Sequence, residues 1–334
     1  MFYAGCFTPS PRPQTGYVLH SRALYCPFKT QYRLTPSAWR RKPKCNSQEN
    51  GLQFQLAYRP PFAWEQLLNY FRERSLQGIE QVEGQCYRRT VALTDAQGHT
   101  HSGWIQLELL PDKHALQVTL SESLQAVTPQ ALARVRAVGD LDADPERIQQ
   151  ALGELAATPA GLRVPGAWDG FEIVVRAVLG QLVTIKAART LTERVATAAQ
   201  LPVETPWPEL YLRFPTAAEF LALDEDQLGA CGITRRSAAA LRQVANLIVQ
   251  AQLDLSAGAD YTKASQTLLA IKGIGPWTVN YVAMRALRWP DAFLAGDYGV
   301  KKVLGTTDLK AIEQQAKAWQ PWRSYAVMYL WSQL

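Results

Sequence analysis

Histidine and cysteine are scarce in this chain of 334 residues, and where they fall excludes much chemistry. The four histidines, His20, His99, His101 and His114, all precede residue 115. The C-terminal two-thirds must therefore work without imidazole as acid, base or metal ligand. The five cysteines, Cys6, Cys26, Cys45, Cys86 and Cys231, follow no zinc or disulfide spacing. Scattered thiols in odd number fit a reducing compartment. Acidic residues are missing from residues 1–45, which hold eight Lys/Arg. No apolar run approaches the ~18 residues a membrane span needs. The first 25 residues also lack the apolar block of a signal peptide. A cytoplasmic protein with no membrane segment, metal or cofactor is expected.

With 47% hydrophobic residues the chain can bury substantial cores, and its length suggests two or three domains. The net charge of +6 owes much to the basic leader, because residues 46–260 are net acidic. A smaller excess, nine basic against four acidic residues over 261–334, places a plausible phosphate-binding surface at the C-terminal end. Residues 1–51 read as a largely disordered leader with alternating prolines. Gln53–Tyr58, Gly103–Leu109 and Gln117–Ser121 alternate with period two, and Asp95-Ala96-Gln97-Gly98 is a turn between strands. Trp64 to Arg74 has helical spacing instead. Residues 52–125 thus form a small α+β domain with an antiparallel sheet, and 126–334 an all-helical body. Within that body 170–198 reads as one long helix, with Phe171, Val174, Val178, Leu179 and Leu182 on its apolar face. Further helices are expected at 216–230, 235–252, 262–271, 277–288, 308–319 and 322–333.

The most informative segment runs from Leu268 to Tyr281. An apolar helix meets Gly273-Ile274-Gly275, and Pro276 suits the first position of a second helix. Ile274 can anchor the turn in the core, and the two glycines leave the amides at the new helix start open to a phosphate. Taken alone, a Gly-x-Gly is simply a turn between packed helices. Asp297 precedes a short helix, and taken alone an Asp there is an N-cap. The two together, at this spacing and among tryptophans, favour a functional reading. Trp289, Trp319 and Trp322 are expected to be core.

The run from Ile271 to Lys302 resembles the helix-hairpin-helix glycosylase motif. Gly161–Gly166, Arg176–Val183 and Pro321–Ala326 extend the likeness, which covers roughly residues 52–334, to the AlkA type, the 3-methyladenine DNA glycosylase II family. The resemblance implies that Asp297 is the catalytic carboxylate. It places Trp277, Tyr281 and Trp331 around the flipped base, and makes Leu182, with Gln181 beside it, the wedge that enters the duplex. Lys272, Gly273, Ile274, Gly275 and Thr278 are implied as the DNA-gripping hairpin. Lys272 departs from a frequent proline, and Ser332 stands where an aromatic can occur. Related lyases carry a lysine at the position of Trp277, and iron–sulfur relatives carry four cysteines near the C-terminus, whereas none here follows Cys231. The implied function is excision of alkylated purines from duplex DNA by a monomer, with no lyase step. Residues 28–41 resemble the end of an AraC-type helix-turn-helix, the module that precedes the glycosylase in Ada–AlkA fusions. Two alternatives stay open: a non-catalytic DNA-binding module, and a transcription regulator built on that fragment.

Overall fold

The computed structural model describes residues 51–334; residues 1–50, with the basic leader and the helix-turn-helix fragment, lie outside the described residues. The chain begins with β1 (Leu52–Ala57), α1 (Trp64–Arg74), β2 (Glu80–Glu83), β3 (Cys86–Thr94), β4 (Thr100–Leu110) and β5 (Ala115–Leu120). The helices α2 (Thr128–Val138), α3 (Pro145–Leu152), α4 (Gly170–Leu179), α5 (Ile185–Ala199), α6 (Ala217–Leu221) and α7 (Glu225–Ala230) follow. Last come α8 (Arg235–Val249), α9 (Tyr261–Leu269), α10 (Pro276–Arg285), α11 (Tyr298–Leu304), α12 (Leu309–Ala316) and α13 (Arg323–Trp331).

The five strands form one antiparallel sheet in the order β1-β5-β4-β3-β2. The β3–β4 hairpin turns where Asp95 accepts backbone hydrogen bonds from Gln97 and His99, as an Asx turn does. Period-two alternation locates β1, β4 and β5 but does not single out β2 and β3. In β3 the reason lies in Arg88-Arg89, which looks like a solvated pair. Arg89 is instead only 4% exposed, and its guanidinium donates to Glu172 of α4 at 2.8 Å and to Glu80 of β2 at 3.4 Å. Arg176 of α4 donates to the same two carboxylates and, at 2.8 Å, to the carbonyl of Arg74. This buried four-residue network ties the sheet, the end of α1 and α4 together. Burial pushes the Glu80 carboxyl up, but Arg176 and Arg89 outweigh it and hold the group down at about 2.

The expected helix over 170–198 is two helices. Gly180 closes α4, and the Thr184 side chain accepts from the Ala187 amide to cap α5. Leu182, placed by its spacing on the apolar face, has φ +60° and is fully exposed. A right-handed helix cannot hold that conformation. The expected helix over 216–230 is likewise split, because Asp224 and Gln227 form a capping box that starts α7 afresh. Trp289, expected in the core, is 41% exposed and stacks face to face on Tyr261 at 5.0 Å. Trp319 and Trp322 are half-buried. No helix among the described residues is long and apolar enough to cross a membrane.

Candidate active site

Helices α9 and α10 meet at the glycine turn. Gly273 has φ +106°, a conformation that disfavours side chains, and Gly275 is the N-cap of α10 with no side-chain cap of its own. Ile274 is buried beneath the turn. Lys272 is exposed at its tip. A Cβ on Gly275 would meet no atom within 4 Å, so the space in front of the first turn of α10 is open. Those first amides have no intrahelical acceptor and suit a phosphate oxygen. Thr278 is buried, and its hydroxyl accepts from the Gln181 amide at 3.0 Å. Its side chain therefore faces inward, and only its backbone remains for DNA.

The Asp297 side chain caps α11, and it does more than cap. Oδ1 accepts from the amides of Gly299 at 2.9 Å and Val300 at 3.1 Å, and from Trp331 Nε1 at 2.9 Å. Oδ2 accepts from Trp277 Nε1 at 3.2 Å. The four partners are all N–H donors, so both carboxylate oxygens serve as acceptors. The N-cap and the functional reading of this aspartate therefore describe one geometry.

From each indole an aromatic stack runs away from the carboxylate. Trp277 lies on Tyr281 with centroids 5.2 Å apart and planes 14° apart. Trp331 faces Tyr70 at 6.5 Å and 17°. The two stacks meet at their far ends, where the tyrosine hydroxyls are 3.2 Å apart. Arg285 sits at that junction and donates through Nη1 to both hydroxyls, at 2.8 Å to Tyr281. Asp297, Trp277, Tyr281, Tyr70 and Trp331 thus close a ring with a carboxylate at one end and a guanidinium at the other. Burial pushes the Tyr281 phenol up, but Arg285, Arg74 and the hydrogen bond from Tyr70 outweigh it and hold it below the usual tyrosine value. Tyr70 is pushed up to about 12, chiefly by burial.

The ring, the glycine turn and the loop 180–184 line one cavity of about 1260 Å³, far larger than a base alone. Gln181 anchors the loop by donating to the Gly273 carbonyl at 3.1 Å as well as to Thr278. Leu182 beside it is fully exposed. All the residues expected from the sequence to form the site, apart from Lys272, line this cavity. Tyr70, Arg74 and Arg285 do so too, unforeseen. The helical spacing of α1 gives no sign of what Tyr70 faces, since its partner Tyr281 is 211 residues away.

The AlkA N-terminal domain family matches residues 53–169, and the HhH-GPD superfamily of base excision DNA repair proteins matches residues 175–322. DNA-3-methyladenine glycosylase 2 of Escherichia coli (strain K12) is 35% identical over 280 residues, which cover 83% of this chain and 96% of that protein. The probable bifunctional transcriptional activator/DNA repair enzyme AlkA of Mycobacterium tuberculosis (strain ATCC 25618 / H37Rv) is 36% identical over 293 residues, 85% of this chain but 57% of that protein. Among solved structures, 3-methyladenine DNA-glycosylase from Archaeoglobus fulgidus superposes with a TM-score of 0.67 at 18% identity, covering 83% of this chain and 97% of that one. At that identity the likeness speaks for the fold alone. The chain belongs to the AlkA-type DNA-3-methyladenine glycosylase 2 family and is a DNA glycosylase of base-excision repair, a hydrolase of N-glycosyl bonds.

Proposed function

We propose that the chain extrudes an alkylated purine from duplex DNA, hydrolyses its N-glycosidic bond and leaves the abasic strand uncut. The observation that carries this reading is the Asp297 carboxylate held between two indoles that wall the cavity. Extruding a base costs a few kcal/mol of stacking and pairing. Leu182 is proposed to fill the gap, while the amides at the glycine turn hold the backbone. As the glycosidic bond breaks, positive charge develops on the sugar, and the ionised Asp297 stabilises it or orients the attacking water. A cationic N3- or N7-alkylpurine leaves as a neutral base and needs little protonation. Over an indole such a cation gains ~0.5–2 kcal/mol.

Strand cleavage would require an amine nucleophile at the sugar. Among the described residues no lysine lines the cavity. The proposed unit is a monomer with a basic leader to residue 51, a small domain over 52–125 and a helical body over 126–334, working in the cytoplasm on duplex DNA. Incubation with alkylated DNA followed by chromatography of released bases tests the reaction. Borohydride trapping on abasic DNA tests the absence of a lyase step. Release of 3-methyladenine or 7-methylguanine without a covalent adduct is the expected result. No released base, or a strong adduct, overturns the reading.

A further inference from the structure

The far end of the aromatic ring does not suit a cation. Arg285 is 5% exposed, and among the described residues no carboxylate lies within ion-pair distance of it. Its donors go to the carbonyls of Pro165 and Gly166 and, through Nη1, to the hydroxyls of Tyr70 and Tyr281. A buried arginine answered only by neutral oxygens makes that end of the cavity electropositive. Such a floor favours acceptor atoms of a ligand.

The two hydroxyls carry one proton each, and the contact between them at 3.2 Å uses only one. Both oxygens already accept from Arg285. The second proton has no acceptor among the described residues, so it turns to whatever fills the cavity. A buried hydroxyl left without an acceptor costs ~1–3 kcal/mol unless water or a ligand answers it. Tyr70 is the more deeply buried of the two, and Tyr281 the more open to the cavity. Either hydroxyl can donate in that contact; in the arrangement where Tyr70 donates, the Tyr281 oxygen accepts from Tyr70 and Arg285 and its own O–H is left to point outward.

We propose that Tyr281 donates its hydroxyl proton in a hydrogen bond to a ring nitrogen or carbonyl oxygen of the flipped base, with Tyr70 and Arg285 as the positioning residues that aim it. The inference rests on the glycosylase reading above and adds a leaving-group role to it. When the bond between C1′ and the base nitrogen breaks, its electron pair stays with the base. Water supplies the oxygen that bonds to C1′, and its proton passes to Asp297 and from there to solvent when the base leaves neutral, or to the departing base when it leaves as an anion. A cationic alkylpurine is neutral as soon as the bond breaks. An uncharged purine such as hypoxanthine departs with negative charge until that proton arrives. A donor on its acceptor edge stabilises this charge, and the arginine behind the phenol strengthens the donor. Both bases present a carbonyl oxygen as acceptor; hypoxanthine also offers N7, which the methyl group of 7-methylguanine occupies.

The test is single-turnover excision of hypoxanthine and of 7-methylguanine from matched duplexes by the full chain and by Tyr281→Phe and Tyr70→Phe variants. The Tyr281→Phe rate on hypoxanthine should fall at least tenfold further than its rate on 7-methylguanine. Tyr70→Phe should shift the ratio the same way by a smaller factor, because Tyr281 keeps its proton but loses one of the two donors that aim it. If both variants lose the same factor on both bases, the donor role is refuted and the tyrosines are walls only. The same holds if the unaltered chain releases 7-methylguanine but not hypoxanthine. A chain that releases neither base refutes the glycosylase reading itself, and this inference with it.

Discussion

Replacement of Leu182 by alanine should separate DNA distortion from protein stability. The side chain is fully exposed and the backbone is left-handed at φ +60°. It contributes no packing to the free protein, so Leu182→Ala should change unfolding free energy by less than ~0.5 kcal/mol. In the complex the same side chain is proposed to fill the space the flipped base vacates. The substitution removes three carbons, and at ~0.8 kcal/mol for each buried methylene the loss is about 2 kcal/mol. That corresponds to about 30-fold in the equilibrium between stacked and extruded base, since ~1.4 kcal/mol is tenfold. A thermal melt of the free protein and the excision rate at subsaturating enzyme read the two quantities separately. A melt that moves with the rate, or a rate unaltered by the substitution, would refute the wedge. Gln181 holds the loop to the glycine turn through two hydrogen bonds, so the loop need not be ordered by DNA.

Three further outcomes are expected. Trp331→Phe removes the indole donor to Asp297 Oδ1 while keeping an aromatic wall, and should slow base release about tenfold with a smaller effect on abasic-DNA binding. Glu80 is held at about 2 against an ordinary value of 4.5, so its contribution to stability is present above pH ~4.5 and lost as pH falls towards 2. Glu80→Gln should therefore lower the melting temperature at neutral pH and flatten its acid dependence, the broken buried pair costing roughly 3–5 kcal/mol. Deleting residues 1–50 should leave excision intact but weaken salt-sensitive, sequence-independent DNA binding, as their lysines and arginines release fewer counterions. An inactive but folded truncation would place the leader in the catalytic body.

The sequence made the glycine turn and Asp297 legible because both depend on local geometry. Gly273 needs a left-handed backbone, Pro276 starts a helix, and Asp297 caps the next one, each within a few residues of what it serves. The break at residues 180–184 was hidden because apolar spacing continues through it. Leu182 is apolar at a helical interval from Val178 although it is fully exposed, and the interruption is marked by Gly180 and the cap at Thr184. β3 was hidden because Arg89 pairs with carboxylates on two other elements, and no local pattern announces a buried arginine. The far wall of the site was hidden for the same reason. Tyr70 and Arg285 meet across 215 residues, with the end of α1 held to α4 by Arg176 and Arg285 held to the carbonyls of Pro165 and Gly166.

Asp297 is proposed to act on the transition state and to add little to ground-state grip. Asp297→Asn keeps the side-chain oxygen that can cap α11 and removes the charge. The decisive measurement is single-turnover release of 7-methylguanine by this variant beside its affinity for abasic-site DNA. Release should fall by several orders of magnitude while abasic-DNA affinity stays within a few-fold. Near-normal release by the Asn protein would contradict it.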